Sequence, residues 1–233
     1  MKLILGDGLL GSEIRRQTDW DFISRKKDGF DFNTDLFFID TTKYDTIINC
    51  IAFTETYNYD KHKHMLINYK SVIKLTDFCN VNKLKLVHIS TDYVYANTKS
   101  QASEADIPIH YNNPYVYSKI LADEYIQATL KDYLILRASF KERPFKHDEG
   151  WINLVGNFDY VDTIAELMVR LIKYDAKGLY NVGTELKTVY DLAQQTNKNV
   201  FPSLKENNMI ASNDISMNLN KLNYFLKAKE NVK

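Results

Sequence analysis

The apolar and polar positions along the chain fall into short apolar runs separated by longer stretches with helical spacing. Runs over 2–5, 21–24, 46–53, 84–89, 133–136 and 178–182 read as strands. Several lack polar alternation and so suit burial on both faces of a parallel sheet. Two more apolar pieces, 30–32 and 36–39, flank Asn33 and Asp35, and either is a candidate third strand. That region is too compressed for a full crossover helix. Helical spacing predicts helices over 12–17, 65–79, 117–131, 161–174 and 189–196, with one more near 219–227. Alternating β and α elements imply an α/β fold, a doubly wound parallel sheet with right-handed crossovers and ligands at the carboxyl ends of its strands. After Arg137 the pattern loses its period, and 138–157 mixes charges, Pro144, glycines and aromatics. The expected division is therefore a core over 1–137, followed by a loop-rich lobe and elements returning to the core over 138–233.

Composition narrows the class. A chain of 233 residues can bury one sizeable core. With 45% hydrophobic and 26% charged residues it matches an ordinary globular protein. The formal net charge is zero and the basic residues are scattered, which argues against a nucleic-acid or anionic-membrane partner. Cys50 and Cys79 sit in apolar surroundings and read as small buried hydrophobes, and no paired-cysteine metal spacing occurs. His62 and His64 alternate on a predicted helix, so their rings point apart, toward solvent rather than a shared metal. An apolar strand from residue 2 leaves no room for a leader segment, and no run reaches membrane-span length, so a cytoplasmic setting is expected.

Two stretches carry chemistry. The first strand runs directly into Gly6-Asp-Gly8-Leu9-Leu10-Gly11 and a helix. In such a turn Gly6 permits the tight bend, Gly8 admits a pyrophosphate close to the backbone, and Gly11 allows the helix to pack on the strand. The helix N-terminus offers free N–H groups to the anion. At the end of the second strand Ser24, Arg25 and Lys26 stand where an acid would favour NAD and bases accommodate a 2′-phosphate, so NADP(H) is favoured and NAD(H) is the alternative. The second stretch begins where the 84–89 strand ends in Ser90, Thr91 and Asp92, and continues through a polar loop to Tyr115-Val-Tyr-Ser-Lys119. Tyr115 and Lys119 are four apart and share a helix face. A neighbouring ammonium lowers a phenol pKa toward the range useful for acid–base chemistry. The bland alternative is a surface Tyr–Lys pair, and the strand ending in Ser-Thr-Asp weighs against it.

These residues carry a resemblance. Gly6 to Gly11, Ile48-Asn-Cys-Ile-Ala-Phe-Thr54, Leu86-Val-His-Ile-Ser-Thr-Asp-Tyr-Val-Tyr95, Asn113-Pro-Tyr-Val-Tyr-Ser-Lys119 and Leu136-Arg-Ala-Ser-Phe140 are similar to the extended short-chain dehydrogenase/reductases. Within them, the chain looks most like the dTDP-4-dehydrorhamnose reductase branch. The resemblance implies a Rossmann core, a small carboxyl-terminal substrate lobe, a nicotinamide cofactor and a nucleotide-sugar substrate, with a homodimer left open. It makes Thr91, Tyr115 and Lys119 the catalytic trio. Gly6, Gly8, Leu9, Leu10, Gly11, Ser24, Arg25, Lys26, Ala52, Ser90, Tyr115 and Lys119 would face the cofactor, and Thr91, Asp92, Tyr93, Tyr115 and Phe140 the substrate. Only a short stretch separates Phe140 from Tyr160, so the lobe is expected to be pared down.

The implied reaction is reduction of a 4-keto-6-deoxy sugar carried on a nucleoside diphosphate. Tyr115 would be the general acid, Lys119 would lower its pKa and hold the nicotinamide ribose, and Thr91 would bind the carbonyl oxygen. Asp92 either fixes the loop or donates to substrate. An epimerase or dehydratase of the same family is the nearest rival; relatives that dehydrate carry an acid after the Ser-Thr-Asp triplet, where this chain has Tyr93. A non-catalytic dinucleotide-binding regulatory subunit is the rival from another class.

Overall fold

The structure, a computed structural model, describes residues 1–108, 113–206 and 213–231. Part of the loop expected before Asn113 (109–112) and residue 212 at the start of the tail lie outside the described residues.

Six strands form one parallel sheet: β1 Lys2–Leu5, β2 Asp21–Ile23, β3 Thr46–Asn49, β4 Lys85–Thr91, β5 Tyr133–Ala138 and β6 Gly178–Asn181. Their spatial order is β6-β5-β4-β3-β1-β2. Beyond β1 the order reverses, since β2 lies on one side of it and β3 on the other. Such a reversal opens a crevice at the carboxyl ends of β1 and β3.

Side chains alternate across each strand and sort the core into two layers. Ile4, Ile48, Val87, Leu134 and Leu136 pack with α1 (Leu9–Arg16), α4 (Val161–Lys173) and α6 (Asn220–Glu230). Leu3, Leu5, Ile47, Leu86 and Ile135 face the other way, onto α2 (Ser71–Asn82) and α3 (Pro114–Thr129). Each fully buried aliphatic side chain contributes about 1.5–3 kcal/mol. Helices on both faces therefore follow from strands that are apolar on both sides.

The third strand was expected in one of two places, and neither piece joins the sheet. The third strand in sequence is β3, paired to β1, and Leu36–Phe38 is a single 3₁₀ turn. Phe30, Phe32, Leu36 and Ile39 are nonetheless buried, in the layer with α2 and α3. Their apolar character drives burial over the sheet face where a crossover helix would otherwise lie, without strand pairing. β3 also ends at Asn49, earlier than its apolar run suggests, while β4 continues through Thr91.

After β5 the chain makes three small two-stranded pairings: Phe140–Lys141 with Asp159–Tyr160, Glu149–Trp151 with Phe201–Ser203, and Val155–Gly156 with Lys187–Thr188. Phe145, Leu154, Phe158 and Tyr160 pack here with Leu192 of α5 (Val189–Gln194) as a third apolar cluster. Between Tyr160 and Lys187 the chain returns to the sheet through α4 and β6, which pairs with β5.

Candidate active site

The turn after β1 shows why its glycines sit where they do. Gly6 has φ +95°, a left-handed backbone that favours glycine, and its N–H donates to Ile23 O at 2.9 Å. A Cβ on Gly11 would lie 2.1 Å from Gly6 O, so α1 can approach β1 only with glycine there. A Cβ on Gly8 would meet nothing within 4 Å. Gly8 is the N-cap of α1 and no side chain caps that end, so its N-terminal N–H groups are presented to the crevice.

The second part of the site comes from β4 and α3. Asn113 caps α3 through Val116 N at 3.0 Å and anchors the helix start by donating to Thr56 O at 2.9 Å. Pro114 occupies the first turn, where its missing N–H costs nothing. Tyr115 and Lys119 then face the end of β4. His64 packs edge-on against the Tyr115 ring, with centroids 5.9 Å apart. His64 was expected on a solvated face; instead it is fully buried, its Nε2 2.8 Å from Asn58 O, and only His62 is exposed. Asn68 supports this wall by bonding both N and O of Phe53 and lying 3.4 Å from His64 Nδ1.

Burial sets the electrostatics. It pushes the Tyr115 phenol up to about 12; the Thr91 hydroxyl pulls the other way, and the charges of Asp92 and Asp123 add to the rise. Lys119 is 2% exposed, and burial brings it down to about 8 against the opposing pull of Asp123 and Cys50. Its Nζ donates to Ile89 O at 2.6 Å and lies 3.1 Å from His88 Nε2. The Tyr115 phenol is thus raised by burial rather than lowered as expected, and the Lys119 amine is engaged by β4. Helix spacing brings the two residues to one face but does not decide which atoms the flexible amine reaches.

Thr91 Oγ accepts from Tyr93 N at 3.2 Å and faces Asp92 Oδ1 at 3.3 Å. Asp92 is fully buried; burial raises its carboxyl to about 7, opposed by the Thr91 hydroxyl and the Lys141 charge. Its Oδ2 has no hydrogen-bond partner among the described residues. Tyr93 is likewise raised, by burial and by Tyr57 beside it.

A cavity of about 660 Å³ joins the two parts. Gly8, Leu9, Leu10, Ala52, Ser90, Thr91, Tyr93, Tyr115, Lys119 and Phe140 line it. Gly6, Gly11 and Asp92 are buried and do not line it. Ser24, Arg25 and Lys26 are outside it, at the end of β2; Ser24 is buried and its Oγ accepts from Lys27 N at 3.1 Å, while Arg25 and Lys26 are exposed. The Ser90 hydroxyl is donated to Asp123 Oδ2 at 2.9 Å. Tyr57, Lys141, His147 and Trp151 also line the cavity and were not anticipated, because they lie in loops and two- or three-residue strands too short to show a period.

A parallel sheet reversing at β1, with a glycine turn below the crevice and a hydroxyl, a phenol and an amine beside it, defines the Rossmann class typical of the extended short-chain dehydrogenase/reductases. Within that class the chain belongs to the RmlD substrate binding domain family, whose model matches residues 1–141. It is 30% identical over 159 residues to the spore coat polysaccharide biosynthesis protein SpsK of Bacillus subtilis, covering 59% of this chain and 54% of that protein. The match thus spans about half the length of that curated relative. Among solved structures, a hypothetical dTDP-4-dehydrorhamnose reductase from Sulfolobus tokodaii superposes with a TM-score of 0.80 at 23% identity, covering 96% of this chain and 94% of that one. The dTDP-4-dehydrorhamnose reductase of Bacillus anthracis, in complex with NADP, gives 0.80 at 19% identity, covering 96% and 91%. MoeE5, in complex with UDP-glucose and NAD, gives 0.78 at 14%, covering 97% and 92%. These likenesses show a shared fold. No helix among the described residues is long and apolar enough to cross a membrane.

Proposed function

We propose that this chain is an NADPH-dependent reductase of a nucleotide-diphospho-4-keto-6-deoxy sugar, with NADH as the alternative reductant. One observation carries the reading: Thr91, Tyr115 and Lys119 line the same cavity as Gly8 and the uncapped start of α1. The open space over Gly8 and the close approach allowed by Gly11 suit a dinucleotide pyrophosphate. When bound, the reduced nicotinamide would supply hydride to the carbonyl carbon.

The chain's own groups would handle the oxygen. Thr91 orients it by a hydrogen bond, and Tyr115 gives it a proton as negative charge develops. A phenol raised to about 12 stays protonated at neutral pH, which suits a donor to an alkoxide, a much stronger base. The phenolate left behind needs a proton, and Lys119, lowered to about 8, gives one up more readily than an exposed lysine. Phe140 and Tyr93 form the proposed sugar side, with Asp92 buried behind Thr91 rather than facing the cavity. Ser24, Arg25 and Lys26 form the proposed 2′-phosphate side, with Arg25 and Lys26 free to turn toward it. The proposed second part is 138–233, a reduced substrate lobe together with α4, β6 and α6, which return to the core. A cytoplasmic setting, where reduced nicotinamide is available, belongs to the same reading.

The test is turnover of the purified protein with NADPH and a panel of dTDP-, UDP- and GDP-linked 4-keto-6-deoxy sugars. Stoichiometric loss of NADPH with formation of a 4-hydroxy sugar is the expected result. Conversion without net NADPH loss would point to an epimerase or dehydratase. Cofactor binding with no conversion across the panel would point to a binding subunit.

A further inference from the structure

His88, on β4 beside the proposed catalytic lysine, has no part in the proposed reaction. It is fully buried on β4, between Lys119 and Asn49. Its Nε2 is 3.1 Å from Lys119 Nζ, and its Nδ1 is 3.2 Å from Asn49 Nδ2. Asn49 is itself buried, and its Oδ1 is committed to Ile51 N–H at 3.0 Å. Burial holds the imidazole pKa well below its ordinary value, so the ring is neutral and carries one proton.

Counting donors then decides where that proton sits. Asn49 Oδ1 accepts from the backbone, so the amide turns its NH₂ toward Nδ1, which must accept. The ring proton is left on Nε2, facing Lys119. An ammonium there would set N–H against N–H, whereas an amine can accept from Nε2–H while donating to Ile89 O. The opposite arrangement would require Asn49 to turn over and leave Ile51 N–H facing a second donor. We propose that His88 is a positioning residue for Lys119: fixed by Asn49 as its Nε2–H tautomer, it donates to the lysine nitrogen and favours the free amine.

Burial alone already lowers the lysine; this contact would lower it further. The other groups facing Lys119 act in the opposite direction or not at all. Asp123, one turn along α3, and Cys50, after β3, both favour the ammonium, and Asp123 is shared with Arg137 and Ser90. Tyr115, neutral at working pH, exerts no charge on it. What a lysine biased toward the amine does for the Tyr115 phenolate, by taking up and passing on a proton rather than holding one, rests on the reductase reading. The tautomer and the lysine charge do not, and they can be read with no substrate present.

Two measurements on the intact protein test this. Long-range ¹H–¹⁵N correlation spectra report the tautomer of each of the five histidines; His88 is expected as Nε2–H at neutral pH, and an Nδ1–H signal would overturn the proposal without any substitution. A ¹³Cε-lysine titration, with the Lys119 signal identified by its loss in Lys119→Arg, gives the second. His88→Gln offers an oxygen able to accept from the ammonium, so the Lys119 midpoint should rise at least tenfold in proton affinity. An unchanged or lower midpoint would refute it. If the midpoint rises as stated while no sugar is reduced, the catalytic reading fails and the His88 assignment stands.

Discussion

At the residue scale, the decisive feature is that the chemistry-bearing side chains are buried, and burial moves each proton in a calculable direction. Tyr115→Phe removes the proposed acid but keeps the ring against His64. Turnover should fall on the order of 10²–10⁴-fold with NADPH affinity within about twofold of the parent, read by single-turnover kinetics and a binding titration. Asp92 supports a prediction independent of any substrate. Its carboxyl rises from 3.8 to about 7 on folding. Between those values the unfolded chain is ionised and the folded one protonated, so rising pH favours unfolding; below both, the group contributes nothing. Its cost therefore grows from about pH 4 to about pH 7 and then stays constant, at a few kcal/mol at most. Relative to the parent, Asp92→Asn should gain stability across that window, measured by urea unfolding at its two ends. A difference that shrinks as pH rises would contradict the burial argument. Little of this was legible beforehand. Tyr115, Lys119 and Thr91 stand in a short pattern, but His88 and His64 owe their roles to partners such as Asn49, and no spacing rule links a strand residue to an amide on the next strand.

At the element scale, the sheet was legible wherever apolar runs stood between turn signals, because a strand buried on both faces has to look that way. Phe30, Phe32, Leu36 and Ile39 carry the composition of a strand yet cover one face of the sheet without pairing. Hydrophobic pattern reports burial, and only hydrogen-bond partners distinguish pairing from covering. The glycine turn separates its roles more cleanly. Gly11→Ala would force Cβ onto Gly6 O, backbone against backbone, so α1 must move away from β1. A loss of about 1–3 kcal/mol in stability is expected, along with weaker cofactor binding. Gly8→Ala meets no neighbour and has φ −65°, which any residue adopts. Its stability should stay within about 0.5 kcal/mol of the parent. Its methyl would nonetheless occupy the space proposed for the pyrophosphate, and NADPH affinity should fall roughly tenfold or more, about 1.4 kcal/mol. Thermal unfolding paired with a binding titration separates the two; normal affinity in Gly8→Ala would place the pyrophosphate elsewhere.

At the scale of the whole molecule, the question is what ties the chain after β5 to the sheet before it. The apolar layers do most of this, and a buried polar network adds to it. Arg137, at the end of β5, donates from Nε to Asp123 of α3 at 3.0 Å and from a guanidinium nitrogen to Tyr95 Oη at 2.7 Å. Tyr95 donates to Asn181 of β6 at 3.0 Å, and Asn181 in turn donates to Ala102 O and Asn218 O, holding the loop after β4 and the approach to α6. Arg137 and Asp123 are almost wholly inaccessible, at 2% and 0% of side-chain surface. Breaking one side of such a pair leaves the other charge stranded without water, which typically costs about 3–5 kcal/mol, whereas removing both can be nearly neutral. Arg137→Met should therefore be severely destabilised, Asp123→Leu comparably so, and the double variant much less than the sum of the two. Urea unfolding of the four proteins closes the cycle. Near-additive losses would mean that the pair is incidental and that each residue matters only for its packing. The network also reaches the site, because Asp123 favours the charged form of Lys119. In the double variant that influence is gone, so the Lys119 midpoint should fall below the parent's even where stability is recovered. The fold's internal tie and the charge of the proposed catalytic amine are thus expected to move separately, which a purely structural role for Asp123 would not produce.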